Sequence, residues 1–499
     1  MTWSTDFLAR LKNNRHGLMF RFVVFDYTWA ELFAASSSPS VTGDTWQITG
    51  PPDIAAHSIS VPAWSYSPHT FSIGIHGTEA ARTLAGAAAR GMICRVYAGY
   101  SDWSTVKWQP IVSGYVRRLA YGADGGVVEA WGLLAGLHSR VNQASSGRRL
   151  FETAGNSTTL TADYTVGDST ISVTTISVFE RPTGQAGFVT LGGFVLSYTG
   201  TSGSDLTGVS AAGDVGTTAA DVTSGEVIGN VARIKATPGN IVTALLTSRV
   251  GGLGSLDIMP ETWSWALDQR LVDNSNIAQI QGRYLSTTVS THQWTLWSLL
   301  PVDSGITWLQ NIANTAGVFV VQRQGTLTMR TARKQPTGAT VTGTITDADI
   351  VSIGSWELWD PAAEAEYRRL SVVTTSGSTG FTASSIVTRP AAEVDTRDMT
   401  DWITSNESAA RTTISNNMGH WSTTVGTVVS LILQGMEWTE FVPGDLLSVT
   451  SDALWTPDTA SISGASSTKT LSERRALVTS SRPLWAEGTT EITLLIPPR

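Results

Sequence analysis

The feature that most constrains this chain is the way its apolar residues recur. They come in short runs of period two, cut roughly every eight to twelve residues by Gly, Pro, Asn or Asp, which is the pattern of half-buried strands joined by tight turns. The clearest case is TLTADYTVGDSTISVTTISVF, residues 159–179. Here Thr takes most of the outward positions and charge nearly vanishes. From 155 to 228 the same pattern predicts strands near 158–160, 170–173, 187–191, 194–198, 206–209 and 226–228, with Gly192-Gly193 as a tight hairpin turn. That spacing reads as a small β-sandwich or barrel.

The first 150 residues alternate in the same way, through LMFRFVVFDYTW, TWQITGPPDI, HTFSIGIHG and ICRVYAGY. TEAARTLAGAAAR, 78–90, predicts a short helix starting at Thr78 and ended by Gly91. GYVRRLAYGADGGVVEAWG predicts a hairpin turning at Asp124-Gly125. After Val231 the pattern changes to helix: TPGNIVTALLTSRVG has Thr237 as N-cap, Pro238 at the first helical position and Gly251 at the stop. A second helix is predicted over DSGITWLQNIANTAG, 303–317, followed by a hairpin around Gln324-Gly325, and a third over NESAARTTISNNMG, 406–419. FVPGDLLSV, 441–449, bends the chain at Pro443-Gly444 like a barrel corner. The fold class expected is mainly β with minor α+β, in four domains: 1–154, a β domain; 155–230, an inserted β-sandwich module; 231–345, α+β; and 346–499, a β-barrel.

Composition narrows the function classes. Only 15% of the 499 residues are charged, against roughly 25% in ordinary soluble domains, while 41% are hydrophobic. Such a chain is held by backbone pairing and β-branched packing more than by ion pairs, and it suits assemblies in which partners cover much of the surface. A net charge of −8 argues against a nucleic-acid binder, because neutralising phosphates needs a concentrated Lys/Arg face. The run Arg148-Arg149 is too short to supply one. Cys94 stands alone, so it is expected to be a buried structural thiol. MTWSTDFLARLKNNRHGLMF lacks a continuous apolar signal region and no 18-residue apolar run occurs, so folding in a cytoplasm and no membrane span are expected.

Four motifs invite a chemical reading. Gly167-Asp168-Ser169 matches the first block of a hydrolase signature, but no Asp-x-x-His follows and Gly-Asp between Thr-rich strands is ordinary turn chemistry. His57, His69 and His76 fit no metal-ligand spacing and are expected at ordinary polar positions, His69 and His76 on opposite faces. Glu357, Asp360, Glu364 and Glu366 lie near Trp356 and Trp359, which leaves a glycosidase pair formally open. The plainer reading is an edge segment with Trp in the packing. The nineteen Trp residues are scattered, some in WSW, WTLW and WELW, rather than set at helical spacing, and W-x-W on a strand puts both rings on one face, for core or interface packing. No catalytic, cofactor-binding or metal residue is assigned.

Two successions carry a resemblance. TTLTADYTVGDSTISVTT with GFVTLGGFVLSYTGTSGSDLTGV looks like a small β module inserted into tail proteins of double-stranded DNA bacteriophages. TPGNIVTALL, then TWLQNIANTAGVFVVQRQGTLTMRT, then FVPGDLLSV is similar to the later domains of phage baseplate hub proteins. The resemblance implies a non-enzymatic virion component, assembled in the host cytoplasm as a homotrimer whose tail-tube-like β domains form a pseudo-hexameric ring. Such a ring joins tail tube and distal tail protein to a central fibre or spike, and encloses a channel for DNA and the tape measure protein. No cofactor is implied, since Cys94 alone excludes the cysteine-bound cluster of some hubs. Two other classes stay open: a peripheral receptor- or glycan-binding adhesin with 155–228 as its head, and a cell-wall hydrolase using the acids around Trp356.

Overall fold

The computed structural model describes residues 3–13, 17–60, 65–67, 69–104, 107–137, 151–212, 218–236, 238–248, 259–273, 294–298, 309, 318–331, 343–359, 363–370, 382–385, 393–400, 402–404, 426–456 and 469–496. The chain divides into two compact units. Met1–Ser145, Phe319–Ala362 and Met418–Arg499 form the first, and Ser146–Val318 with Ala363–Asn417 the second.

The first unit opens with helix α1 (Thr5–Asn13) and strands β1 (Leu18–Phe25) and β2 (Glu31–Ser36). The turn α2 (Pro39–Thr42) leads to β3 (Trp46–Ile48), β4 (Asp53–Ile54), β5 (His57–Ser60), β6 (Ser65–Ser67) and β7 (Thr70–His76). Helix α3 (Thr78–Gly86) is followed by β8 (Ile93–Tyr100), β9 (Gln109–Gly122), β10 (Gly125–Gly132) and α4 (Leu133–Gly136). Seven of these strands close on themselves in the order β10-β9-β8-β1-β2-β3-β7, with β7 pairing back onto β10. Closure removes the strand edges that an open sheet would leave bare. The period-two pattern explains the interior: in β7, Phe71, Ile73 and Ile75 face inward while Thr70 and His76 face out. Trp3, Phe7 and Leu11 of the α1 segment pack into the same core.

Two local readings shift. Gly122 pairs with Gly125, so the hairpin turns on Ala123-Asp124, one residue earlier than expected, and Gly125 (φ 144°) already belongs to the strand. Helix α3 ends at Gly86 rather than running to Gly91. Its cap is the N–H of Ala87 on the Thr83 carbonyl, and Ala88 then takes a left-handed conformation (φ 49°).

The second unit holds β11 (Ser157–Thr159), β12 (Thr170–Ser172), β13 (Gly187–Leu191), β14 (Phe194–Tyr198), β15 (Gly200–Ser202), β16 (Asp205–Thr207) and β17 (Ser210–Ala211). They surround a core of Leu160, Ile171, Val189, Leu196, Tyr198 and Leu206. β13 and β14 meet at Gly192 (φ 55°) and Gly193 (φ 87°), the two positive dihedrals of the tight hairpin turn expected there. The long β18 (Val227–Ala236) pairs with β11 and β13 in its first half and with β19 (Trp294–Ser298) in its second. Between them α5 (Pro238–Thr247) is buried from Ile241 to Thr247, its two buried hydroxyls, Thr243 and Thr247, donating back to the Gly239 and Thr243 carbonyls. It stops at left-handed Ser248 (φ 60°); Thr237 and Gly251 lie outside the described residues. So do the helices expected over 303–317, apart from Leu309, and over 406–419.

Back in the first unit, β20 (Val318–Arg323) and β21 (Thr326–Thr331) form the expected hairpin, turning on Gln324 (φ 49°) and Gly325 (φ 73°). β22 (Thr344–Thr346) and β23 (Ile350–Trp359) precede a second-unit sheet of β24 (Ala363–Leu370), β25 (Thr382–Ser385) and β26 (Glu393–Thr400), while β27 (Trp402–Thr404) joins β19. The last strands are β28 (Gly426–Gln434), β29 (Leu446–Thr456), β30 (Lys469–Leu484) and β31 (Thr489–Ile496). They build a first-unit sheet in the order β22-β29-β30-β31-β28-β23. Its corner is the turn at Pro443-Gly444, where Asp445 closes both ends: its N–H donates to the Val442 carbonyl and its carboxylate accepts the Val442 N–H at 3.0 Å. The hairpin β5–β6 leaves the first barrel and adds to this sheet, pairing His57 with Ser481 and Ser58 with Ser480.

Candidate functional site

The tripeptide Gly167-Asp168-Ser169 is a turn. Gly167 has φ 102°, the Asp168 N–H donates to the Thr165 carbonyl, and the Asp168 carboxylate accepts the Thr165 N–H at 2.8 Å. Asp168 is thereby used by its own loop, and Ser169 is exposed with its carbonyl accepting the Val209 N–H. The acids near Trp356 fall on different sheets. Glu357 is exposed on β23 of the first unit, Glu364 and Glu366 sit on β24 of the second, and Asp360 lies outside the described residues. Trp356 packs against the core of the β28–β31 sheet. In WSW, Trp263 is buried at the end of a short 3-10 turn (Glu261–Trp263), so the shared strand face expected there does not form. Cys94 is fully buried, its thiol donating to the Gly114 carbonyl, and burial pushes its ionisation well up.

The histidines depart most from expectation. His76 is exposed at the end of β7, but His57 and His69 are both buried, at 8% and 5% exposure. Their rings meet edge to face with centroids 5.2 Å apart. The signal missed was the alternation in β5, where His57 and Ile59 share the inward face. Tyr66 on β6 ties the pair to the β20–β21 hairpin: its hydroxyl lies 3.0 Å from His57 Nδ1 and accepts the Gln322 backbone N–H at 3.3 Å. The Gln322 side chain is itself engaged at both ends, its Oε1 accepting the Leu133 N–H at 2.9 Å and its Nε2 donating to the Ser113 carbonyl at 2.6 Å. The Tyr66 hydroxyl both donates and accepts, so the neutral His57 ring meets it at Nδ1 in either tautomer. Burial lowers the His69 pKa to about 4 and lowers that of His57 well below the ordinary value, the neighbouring His69 adding to it.

A cavity of about 40 Å³ lies against this pair, lined by His57, His69, Gln322, Gln324, Ser481 and Trp485 among others. No described residue pairs with either ring nitrogen of His69, either amide atom of Gln324, or the Trp485 indole nitrogen. Among the described residues no group of three or more His, Cys, Asp or Glu gathers into a metal-binding cluster. Neutral imidazoles, amides and an indole make a place for small neutral hydrogen-bonding molecules.

Elsewhere large apolar side chains face outward. Among them are Tyr27 beyond β1, Tyr121 and Val127 at the β9–β10 hairpin, and Val351 and Ile353 on β23, which is an edge of its sheet. No protein-family model matches the chain, and no curated protein matches it in sequence. Its structural neighbours include phage tail proteins.

The 43 kDa tail protein of prophage MuSo2 from Shewanella oneidensis aligns over 96% of this chain and 98% of its own, at 9% identity and a TM-score of 0.35. Prophage tail protein gp18 from Listeria monocytogenes EGD-e aligns over 95% and 94%, at 10% identity and a TM-score of 0.36. A Francisella PdpA-VgrG complex aligns over 96% of this chain and 57% of that one, at 6% identity and a TM-score of 0.35. At these scores the likeness carries no correspondence between individual residues.

Proposed function

We propose that this chain is a structural, non-enzymatic component of a phage tail tip. In this reading it is a hub whose homotrimer forms a ring between tail tube and distal tail protein on one side and a central fibre or spike on the other. The observation that carries the reading is the presence, in one unit, of a closed seven-stranded barrel and a second β sheet cornered at FVPGDLLSV. We read these as the two tail-tube-like β domains of a hub. Low charge supports it, since strand faces with few ions are inexpensive to bury between subunits. So does the net charge of −8, which keeps a duplex from adhering to the wall of a channel it must pass through. The exposed Val351 and Ile353 on the edge strand β23 are the kind of surface a neighbouring subunit covers.

Residues 155–230 are proposed as an inserted module for contact or decoration at the outer surface of the tail, and virion localisation follows from the same reading. The native mass of the purified chain tests the proposal: a trimer is expected, and a monomer or hexamer would overturn it. Labelled protein located in virions should lie on the tail axis, whereas a peripheral position would favour the adhesin. Zymography on peptidoglycan should show no clearing. Clearing that disappears with Glu357→Gln would make the chain a hydrolase.

A further inference from the structure

Hairpin β5–β6 is held to β30 by little backbone pairing of its own, two residue pairs at Ser58–Ser480 and His57–Ser481. What fixes it is the buried cluster behind it, in which His57, Tyr66 and Gln322 form a chain of hydrogen bonds and His69 packs edge to face on His57. We propose that His57 and His69, with the small cavity they line, form an acid-sensitive latch that holds β5–β6 to the β28–β31 sheet when both rings are neutral and releases it when protons from solvent charge them.

The physical basis is the absence of compensation. A charged imidazole in an apolar interior needs a counter-charge, and no described residue lining the cavity is acidic. The charged side chains nearest in sequence on the neighbouring strands do not line the cavity and are engaged with one another. Arg482 of β30 lies 3.8 Å from Asp53 and 4.0 Å from Glu491; Arg323 of β20 is paired with Glu440 at 2.9 Å; Arg330 of β21 is paired with Asp445 at 2.6 Å. Burial opposes protonation of both rings, and a charge on either one opposes a charge on the other.

The cavity supplies the entry point. Its roughly 40 Å³ is room for one to three water molecules by the usual volume per probe sphere. The five polar atoms on its wall without a described partner, from His69, Gln324 and Trp485, give such water its two to four hydrogen bonds. Water at this point hydrates the neutral rings and carries the proton in. Protonation puts a hydrogen on both His57 nitrogens, so the Tyr66 oxygen must accept from Nδ1 as well as from the Gln322 N–H, and its own proton no longer has an acceptor on His57.

Amide hydrogen exchange on the full chain, read at Ile59 and Tyr66 across pH 7 to 4, tests the latch. Protection there, corrected for intrinsic exchange, should fall by up to about tenfold per pH unit per titrating ring below pH 6.5, while barrel amides such as Ile73 hold theirs. His69→Gln should flatten the fall, and His76→Gln, an exposed control, should leave it intact. Should His69→Gln fail to fold, the wild-type chain still decides through imidazole resonances. A His69 ring that titrates near 6.5, or hairpin protection that does not change as His69 titrates, would overturn the proposal.

Discussion

At Gly114 an added Cβ would lie 2.0 Å from the Trp131 carbonyl oxygen, a backbone atom of the paired strand that cannot swing away. Gly114→Ala should therefore destabilise the first barrel by about 2–4 kcal/mol, read as a lowered urea midpoint. Cys94 pairs with Gly114 in the same ladder, and its buried thiol should resist alkylation at pH 8 until denaturant is added. For His69, the sign of the pH effect follows from a folded-state pKa of about 4, below the ordinary 6.5. The unfolded chain binds the proton more readily, so this residue's contribution is complete above pH 6.5 and is lost as pH falls toward 4. The loss is about 3 kcal/mol over that window at roughly 1.4 kcal/mol per unit, and a stability–pH profile of His69→Phe should lack it.

At the scale of elements, the β20–β21 hairpin shows how local chemistry and burial combine. Gln324-Gly325 supplies the turn, but the hairpin is fixed by Arg330, 8% exposed in its side chain, whose Nε donates to Asp445 at 2.6 Å. Asp445 also closes the FVPGD corner, so one carboxylate serves two elements. Asp445→Asn should cost about 3 kcal/mol in thermal or urea unfolding, because it leaves a buried guanidinium without its counter-charge, and adding Arg330→Met should recover much of the loss. The turn was legible in the sequence, since Gln-Gly between two apolar runs has few other conformations. The ion pair was not, because 115 residues separate its partners. Helix α3 gives the reverse case: Ala propensity marked its existence, and competition from left-handed Ala88 moved its end.

Across the whole molecule, the strands that lead into and out of residues 155–228 are neighbours. The Gly155 N–H donates to the Asn230 carbonyl at 3.0 Å and the Asn230 N–H to the Asn156 carbonyl at 2.8 Å. Excising 155–228 therefore leaves ends that a short join spans, while Val231–Ala236 of β18 stays to pair with β19. The shortened chain is expected to keep the native mass of the full one, and a change of oligomeric state would show that the module takes part in assembly.

The sequence by itself determined that this chain is built of strands, where most of its turns lie, and that Gly167-Asp168-Ser169 is one of them. Those properties depend on residues within a few positions of one another: alternation, β-branching and glycine's access to positive φ. Only the tertiary structure decided that seven strands close into a barrel, that a hairpin from one β domain completes the sheet of another, and that His57 and His69 meet in its interior. Pairing partners, and the burial that sets an imidazole's charge, are properties of distant segments brought together, and a linear pattern of apolar and polar residues does not encode which strand edge meets which.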